Sequence, residues 1–249
     1  MKKLQDKVAI VTGASKGIGA AIAKAYAAEG ATVVVNYASD KTGAERVVNE
    51  IAGKGGKALA LQGDVAKEGD VVRLVEVTKE TYGKVDVLVN NAGVFAFQPL
   101  EGVTAEEFHR QFNINVLGTL FAAREASKAF GDKGGSIINV SSVVSESPPP
   151  GSSIYSATKG AVDTITVALA GELAARKIRV NTIAPGGVDT EGARTAGVVG
   201  SEFETNIVSR TPLGRMGQPN DIAKVAVFLA SDDSAWLTGE RISASGGFR

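Results

Sequence analysis

Two hydrophobic periods alternate along this chain, and that alternation constrains the fold more than any other feature. Short runs that are apolar at nearly every position recur as "KVAIV" (7–11), "TVVVN" (32–36), "ALALQ" (58–62), "VDVLVN" (85–90), "SIINVS" (136–141), "IRVNTIA" (178–184) and "RISAS" (241–245). Between them lie segments of helical period, among them "GAAIAKAYAAEG", "GAERVVNEIAGKG", "DVVRLVEVTKETYG" and "GAVDTITVALAGELAARK". A strand covered on both faces needs apolar side chains at successive positions, whereas a helix laid on it needs only one apolar stripe. The order therefore predicts an α/β fold: a doubly wound parallel sheet of seven strands, helices on both faces and right-handed crossovers. No linker, composition break or further repeat divides the 249 residues, so a single domain over 1–249 is expected.

Two segments fall outside the sheet. "SESPPPGSS" (145–153) holds three consecutive prolines and reads as a stiff loop. The glycine-rich stretch 185–210 follows the sixth strand and is expected to be a partly helical lid, because ligands of open α/β sheets bind beyond the carboxyl ends of the strands. The basic start "MKKLQDKVAIV" leads straight into the first strand rather than into a signal peptide, and no run reaches membrane-spanning length.

Composition removes several chemistries. There is no cysteine, which excludes disulfides, thiolate nucleophiles and cysteine-bound zinc or iron–sulfur centres, and suits a reducing, cytoplasmic setting. The one histidine, His109, lies in the polar "TAEEFHRQF", so histidine triads and multi-histidine metal sites are not expected. Lysine plus arginine number 27 against 27 acidic residues, leaving no overall charge to draw the chain to nucleic acid or an anionic membrane. Acid–base chemistry near neutral pH must come from groups with shifted pKa values.

Directly after the first strand comes "VTGASKGIGAAIAKAYA", with Gly13, Gly17 and Gly19 where the chain turns into a helix. Glycines permit a close backbone approach to a pyrophosphate, and the helix N-terminus favours its charge, so this is a dinucleotide site in outline and the sheet is Rossmann-like. Its spacing, G-x-x-x-G-x-G, departs from the commoner G-x-G-x-x-G. The second strand ends at Asn36 where an acidic residue would favour NAD. With Lys16 in the cradle and Ser39 beyond the strand as phosphate partners, NADP(H) is favoured over NAD(H), and Asp40 is the residue that stands against this.

Further on, "IYSATKG" places Tyr155 and Lys159 one helical turn apart on the same face. Together with the glycines, this pair makes the chain resemble the short-chain dehydrogenase/reductase family from about Lys7 to the C-terminus. The pieces are "TGASKGIG" (12–19), "GDV" (63–65), "NNAG" (90–93), "NINVLG" (113–118), "SS" (141–142), "YSATK" (155–159) and "PGGVDT" (185–190). The resemblance implies that Gly13, Ser15, Lys16, Gly17, Ile18 and Gly19 face the cofactor phosphates. It also implies that Asp64 and Val65 hold the adenine, Asn91 and Gly93 the adenosine side, and Val188 and Thr190 the nicotinamide end. Asp64 and Thr190 could equally cap turns, and Asn91 tie strands.

The catalytic set implied is Asn115, Ser142, Tyr155 and Lys159. Tyrosine, with an ordinary pKa of about 10, would exchange the substrate proton with its acidity raised by the Lys159 ammonium and the oxidised nicotinamide. Ser142, rather than its neighbour Ser141, would hydrogen-bond the substrate oxygen, Asn115 would hold a water that links Lys159 to solvent, and Lys159 would bind the nicotinamide ribose. The implied activity is reversible hydride transfer between NADPH and a ketone or 3-oxoacyl group, as in bacterial 3-oxoacyl-acyl-carrier-protein reductases and broad-specificity carbonyl reductases. Glucose or alcohol dehydrogenases are the alternative within the family, and a non-catalytic NADP-binding sensor is the alternative outside it.

Residues 94–100, Val143 to Pro150 and 187–210 would line the substrate site, with Phe95, Phe97 and Pro148 to Pro150 suiting a hydrophobic ketone or packing under the lid. A thioester on acyl carrier protein or coenzyme A would need a basic patch, for which Lys128, Lys133, Arg176 and Lys177 are candidates. The family implies a homotetramer joined through helices near Glu107 to Phe130 and Ile154 to Lys177 and through the C-terminal strand region.

Overall fold

In the computed structural model, which describes residues 2–248, the strands are β1 (Val8–Val11), β2 (Thr32–Tyr37), β3 (Lys57–Gln62), β4 (Val87–Asn90), β5 (Gly135–Val140), β6 (Ile178–Pro185) and β7 (Arg241–Ala244). All pair in parallel, in the order β3-β2-β1-β4-β5-β6-β7. The helices are α1 (Gly17–Ala28), α2 (Lys41–Ala52), α3 (Glu68–Tyr82), α4 (Ala105–Phe112), α5 (Gly118–Ala129), α6 (Ser153–Leu173), α7 (Glu191–Thr195), α8 (Glu202–Ser209) and α9 (Pro219–Ala230). The doubly wound, Rossmann-like sheet expected from the alternating periods is the one observed.

The lack of polar alternation in the strands has a direct cause. In β1, Ala9 and Val11 pack with Ile22 and Tyr26 of α1 and Ile222 and Leu229 of α9 on one face of the sheet. Ile10, between them, packs with Leu74 of α3, Leu88, Ala126 of α5 and Ile137 on the other. Both faces are dry, so successive strand positions must all be apolar.

Two local departures from the sequence-based expectation are informative. β4 begins at Val87, after Asp86 accepts the Val8 N–H at 2.7 Å. The helix expected over 107–130 is interrupted by one π turn, Asn113–Leu117, between α4 and α5. That extra residue in the turn rotates the helix face and buries Asn115. The segment 185–210 is partly helical, as expected, with two short helices, α7 and α8, whose first turns are capped by Thr190 and Ser201.

Tyr26 tests the core packing. It is fully buried in α1, and its hydroxyl donates to the Ala226 carbonyl of α9 at 3.0 Å. Tyr26→Phe is expected to cost about 1 kcal/mol and Tyr26→Ala about 3–5 kcal/mol, read from the midpoints of urea unfolding curves.

Candidate active site

The site lies where β1 and β4, which are not consecutive in sequence, become neighbours in the sheet. Their carboxyl ends are locked together. Thr12 Oγ1 accepts the N–H groups of Asn91 and Ala92, each at 3.0 Å, and Asn91 Nδ2 donates to the Thr12 and Gly13 carbonyls, each at 2.9 Å. Gly13 has φ +59°, and a Cβ there would stand 2.8 Å from the Ala92 Cα; a Cβ on Gly19 would stand 2.6 Å from the Gly13 carbonyl oxygen. Glycine is required at both positions by this close approach.

Helix α1 starts at this turn with no side-chain cap and no acidic residue in its first turn. Its leading N–H groups are thus available to an anion. The cleft above them is lined by Gly13, Ser15, Lys16, Gly17, Ile18, Asn36, Ser39, Asp64, Val65, Asn91, Gly93 and Thr190. Gly19 lies behind the turn against Asn91, and Val188 lines the adjoining cavity. The donor set and shape fit a nicotinamide dinucleotide.

Several of these residues have structural work as well. Asn36 is a brace: buried, it donates to the Leu61 and Gly63 carbonyls at 3.3 and 2.9 Å, with Oδ1 3.4 Å from the Gly13 N–H. Its amide is therefore not free to grip a phosphate, which leaves the exposed Lys16 and Ser39 for that part. Asp40 caps α2, its carboxylate accepting the Gly43 N–H at 2.9 Å, and also lines the cleft beside Ser39. Asp64 caps its own turn through Ala66, and Thr190 caps α7 through Ala193.

The second half of the site comes from the ends of β5 and β6 and from α6. Ser141 is buried with its hydroxyl on the Lys159 carbonyl, whereas Ser142 lines the cavity and hydrogen-bonds the Tyr155 hydroxyl. Lys159 Nζ donates to the Val140 carbonyl at 2.9 Å and lies 5.7 Å from the centre of the Tyr155 ring. Asn115 is fully engaged: Oδ1 accepts the Val94 N–H at 2.8 Å, and Nδ2 donates to the Val94 carbonyl and to Thr158 Oγ1. Its amide thus positions the Gly93–Val94 backbone and α6, with both Nδ2 hydrogens used and one Oδ1 lone pair left as an acceptor.

Electrostatics here differ from the sequence-based expectation. Burial pushes the Tyr155 hydroxyl up to about 12, with the Ser142 hydrogen bond working against it, and pushes the Lys159 ammonium down to about 8, with Asp163 working against that. Desolvation outweighs neighbouring charge at both groups. The chain's own residues therefore keep Tyr155 protonated at neutral pH, while Lys159 remains mostly charged.

The adjoining cavity, about 200 Å³, is mainly apolar and aromatic. Phe97 lies 6.2 Å from Tyr155 and 6.1 Å from Phe203 of the lid, and Phe95 lies 5.9 Å from both Phe97 and Tyr155. Pro149, Ile207, Met216 and Phe248 complete the walls. Met216 and Phe248 lie outside the ranges expected from sequence; the bridge between Val188 and Gly217 brings Met216 to the site, and the glycine turn at Gly246 and Gly247 precedes Phe248 there. A larger cleft, about 870 Å³, lies at the opposite end of the sheet among Lys7, Lys84, Lys133, Lys177 and Trp236, and contains none of the candidate catalytic or cofactor-binding residues. His109 is exposed on α4. No helix among the described residues is long and apolar enough to cross a membrane.

A parallel seven-strand sheet with this pair of adjoining cavities defines an oxidoreductase acting on carbonyl or CH–OH groups, and the chain belongs to the short-chain dehydrogenase/reductase family. Residues 13–249 match a family model described as enoyl-(acyl carrier protein) reductase. The chain is 59% identical, over all 249 residues of both proteins, to an uncharacterized oxidoreductase of Methylorubrum extorquens. It is 40% identical to versicolorin reductase of Emericella nidulans over 98% of this chain and 96% of that protein. Among solved structures, the angucycline C-6 ketoreductase LanV with bound NADP superposes with a TM-score of 0.93 at 38% identity, covering 99% of this chain and 96% of that one.

Burial of Lys159 has a consequence for stability. Its folded pKa, about 8, lies below its ordinary 10.5, so between these values the unfolded chain binds more protons and stability rises with pH; below about 8 the full cost of the buried ammonium is present. Tyr155 begins to oppose this only above pH 10, because its folded pKa is raised to about 12. Between pH 7 and 10 wild type should therefore gain up to about 3 kcal/mol relative to Lys159→Met, measured by chemical denaturation at each pH.

Proposed function

We propose that this protein is an NADPH-dependent reductase of flat, aromatic-fused ketones, with Ser142, Tyr155 and Lys159 as its catalytic residues and Asn115 as a positioning residue. The observation that carries the reading is a continuous aromatic wall, in which Phe95 and Phe97 pack on the Tyr155 ring and Phe203 packs on Phe97. Rings in tilted and edge-to-face contact present one apolar aromatic surface beside Tyr155, which suits a planar apolar ligand laid against it and offers little to a polyhydroxylated sugar. The names of versicolorin reductase and the angucycline ketoreductase point to the same substrate class.

Bound NADPH supplies the hydride that adds to the carbonyl carbon. Ser142 donates a hydrogen bond to the substrate oxygen, where negative charge develops, and Tyr155 delivers a proton to that oxygen. With its pKa pushed up to about 12, Tyr155 rests in the donor form, which suits reduction better than alcohol oxidation. Lys159 places its ammonium beside the ring and next to Gly93, where a dinucleotide's ribose would lie. No carboxylate ends β2, and Lys16 and Ser39 would hold the 2'-phosphate of NADPH, while Asp40, which keeps its charge as it caps α2, lines the same cleft and opposes this preference.

The segment 185–210 serves as the substrate lid through Val198, Phe203 and Ile207. A carrier-protein-bound thioester is less well served, since Lys133 and Lys177 sit at the opposite end of the sheet and Lys128 is paired with Glu125. Exposed Phe108, Leu117, Leu120 and Val167 on α4 to α6 support a homotetramer joined through these helices, and a cysteine-free chain suits the cytoplasm.

The test is NADPH and NADH consumption with 2-tetralone, an acetoacetyl thioester and a simple aliphatic ketone. NADPH with the tetralone should lead in kcat/KM by about tenfold or more, and Tyr155→Phe should lower kcat by about a thousandfold while NADPH still binds. Preference for the thioester would overturn the substrate class, and nucleotide binding without turnover on any carbonyl would indicate a sensor. In the cradle, Gly19→Ala should weaken NADPH binding by about tenfold, read by fluorescence titration.

A further inference from the structure

Ser142 follows β5 while Tyr155 and Lys159 ride on α6, so the helical spacing of the pair does not by itself fix where the serine stands. A single side chain from the last strand joins the two elements. Arg241, only 17% exposed, donates from Nε to Asp163 Oδ2 on α6 at 3.0 Å. From Nη2 it donates to the Ser142 carbonyl at 3.3 Å and to Ser145 Oγ at 3.1 Å. Its Nη1 holds Ser243 Oγ at 2.9 Å and Glu146 Oε2 at 3.0 Å. Ser145 Oγ itself donates to the Ser142 carbonyl at 2.9 Å, which closes the turn.

Asp163 stands one turn beyond Lys159 on the same helix face, as Lys159 stands one turn beyond Tyr155. Its Oδ2 is held by Arg241, and its Oδ1 is buried with no hydrogen-bond partner among the described residues. A carboxylate so placed carries its charge one helical turn from Lys159. We propose that Arg241 and Asp163 form an ion-pair clasp that positions Ser142 against Tyr155 and holds Lys159 in its ammonium form. Both are positioning residues, and the proposal rests on the catalytic reading of Ser142, Tyr155 and Lys159 given above.

The surroundings of Lys159 support the electrostatic part. Around it stand Tyr155 from α6, Asn115 from the π turn, the Gly93 backbone after β4 and the Val140 carbonyl of β5, with Asp163 one helical turn further along α6. Asp163 is the only anionic group of this set; Arg241 of β7 and Glu146 lie behind it. Asp163 is also the one group that works against the burial of Lys159. A partly buried ion pair commonly adds no more stability than an apolar pair of the same shape, so packing alone gives no reason for charge at this position.

The experiment is NADPH-dependent reduction of 2-tetralone by Asp163→Asn, Arg241→Met, Arg241→Lys and Tyr155→Phe, with circular dichroism to confirm folding. Asp163→Asn keeps an acceptor for Arg241 and removes only the charge. The alkaline limb of its kcat/KM profile, expected near pH 8 in wild type, should move to lower pH by about one unit, which a purely structural role would not produce. Arg241→Met should lower kcat by about tenfold with the KM for NADPH unchanged, and Arg241→Lys should recover part of the loss. A superimposable pH profile for Asp163→Asn, or wild-type kcat in folded Arg241→Met, overturns the clasp. If Arg241→Met does not fold, the Asp163→Asn profile decides alone. Full activity of Tyr155→Phe would instead sink the catalytic reading itself; loss there, with wild-type behaviour of the other variants, sinks only the clasp.

Discussion

The structure depends on one pairing, that of β1 with β4. The chain runs from β1 outward to β2 and β3 and then crosses back, so the connections leaving β1 and β4 depart in opposite directions and a crevice opens above their ends. Thr12 and Asn91 close the base of that crevice with four hydrogen bonds, and Gly13 and Gly19 make room for it. The phosphate cradle, the Asn36 brace and the Gly93–Val94 backbone all take their positions from this seam. A side chain added at Gly13 or Gly19 would separate parts that lie more than seventy residues apart in sequence.

Burial, more than pairwise charge, sets the chemistry on the other side of the seam. Helix α6 lies against β6, and its buried face mixes Ile154, Val162 and Ala170 with polar side chains, of which Thr166 meets Thr182 and Asn139, and Asn139 meets Asn90. These polar groups satisfy one another, so the cost of burial on this face falls on the Lys159 ammonium. In that environment, desolvation raises Tyr155 and lowers Lys159, so the resting site is a neutral acid beside a weakened ammonium. Such a pair is poised to give a proton. The Asp163–Arg241 clasp fits this picture as the local counterweight that keeps Lys159 charged.

Substrate recognition is divided between rigid and adjustable elements. Tyr155 and Ser142 belong to the sheet and α6, whereas Phe203 and Ile207 lie on α8, a short helix with only partly buried or exposed residues. Phe95 and Phe97 stand on the loop after β4 and touch both parts. Tyr155 is thus carried by a regular element, while the aromatic walls beside it stand on a loop and a short helix.

Periodicity determined the layers of this protein. Two-sided burial demands continuous apolar runs, and these marked all seven strands, while glycine at Gly13 and Gly19 and the turn spacing of Tyr155 and Lys159 marked both halves of the site because each is a short-range requirement of backbone or helix geometry. What the linear pattern lacked was long-range. The bracing of Asn36 against the β3 end and the arrival of Met216 and Phe248 at the cavity wall depend on contacts between distant segments, and the π turn that buries Asn115 left no mark in the helical period. Arg241 is the clearest instance: in sequence it is one basic residue in "GERISAS", and only the pairing of β7 with β6 carries it to Asp163 and the Ser142 turn. The direction of the Tyr155 shift was likewise decided by tertiary structure, because desolvation is a property of the packed surroundings and not of neighbours along the chain.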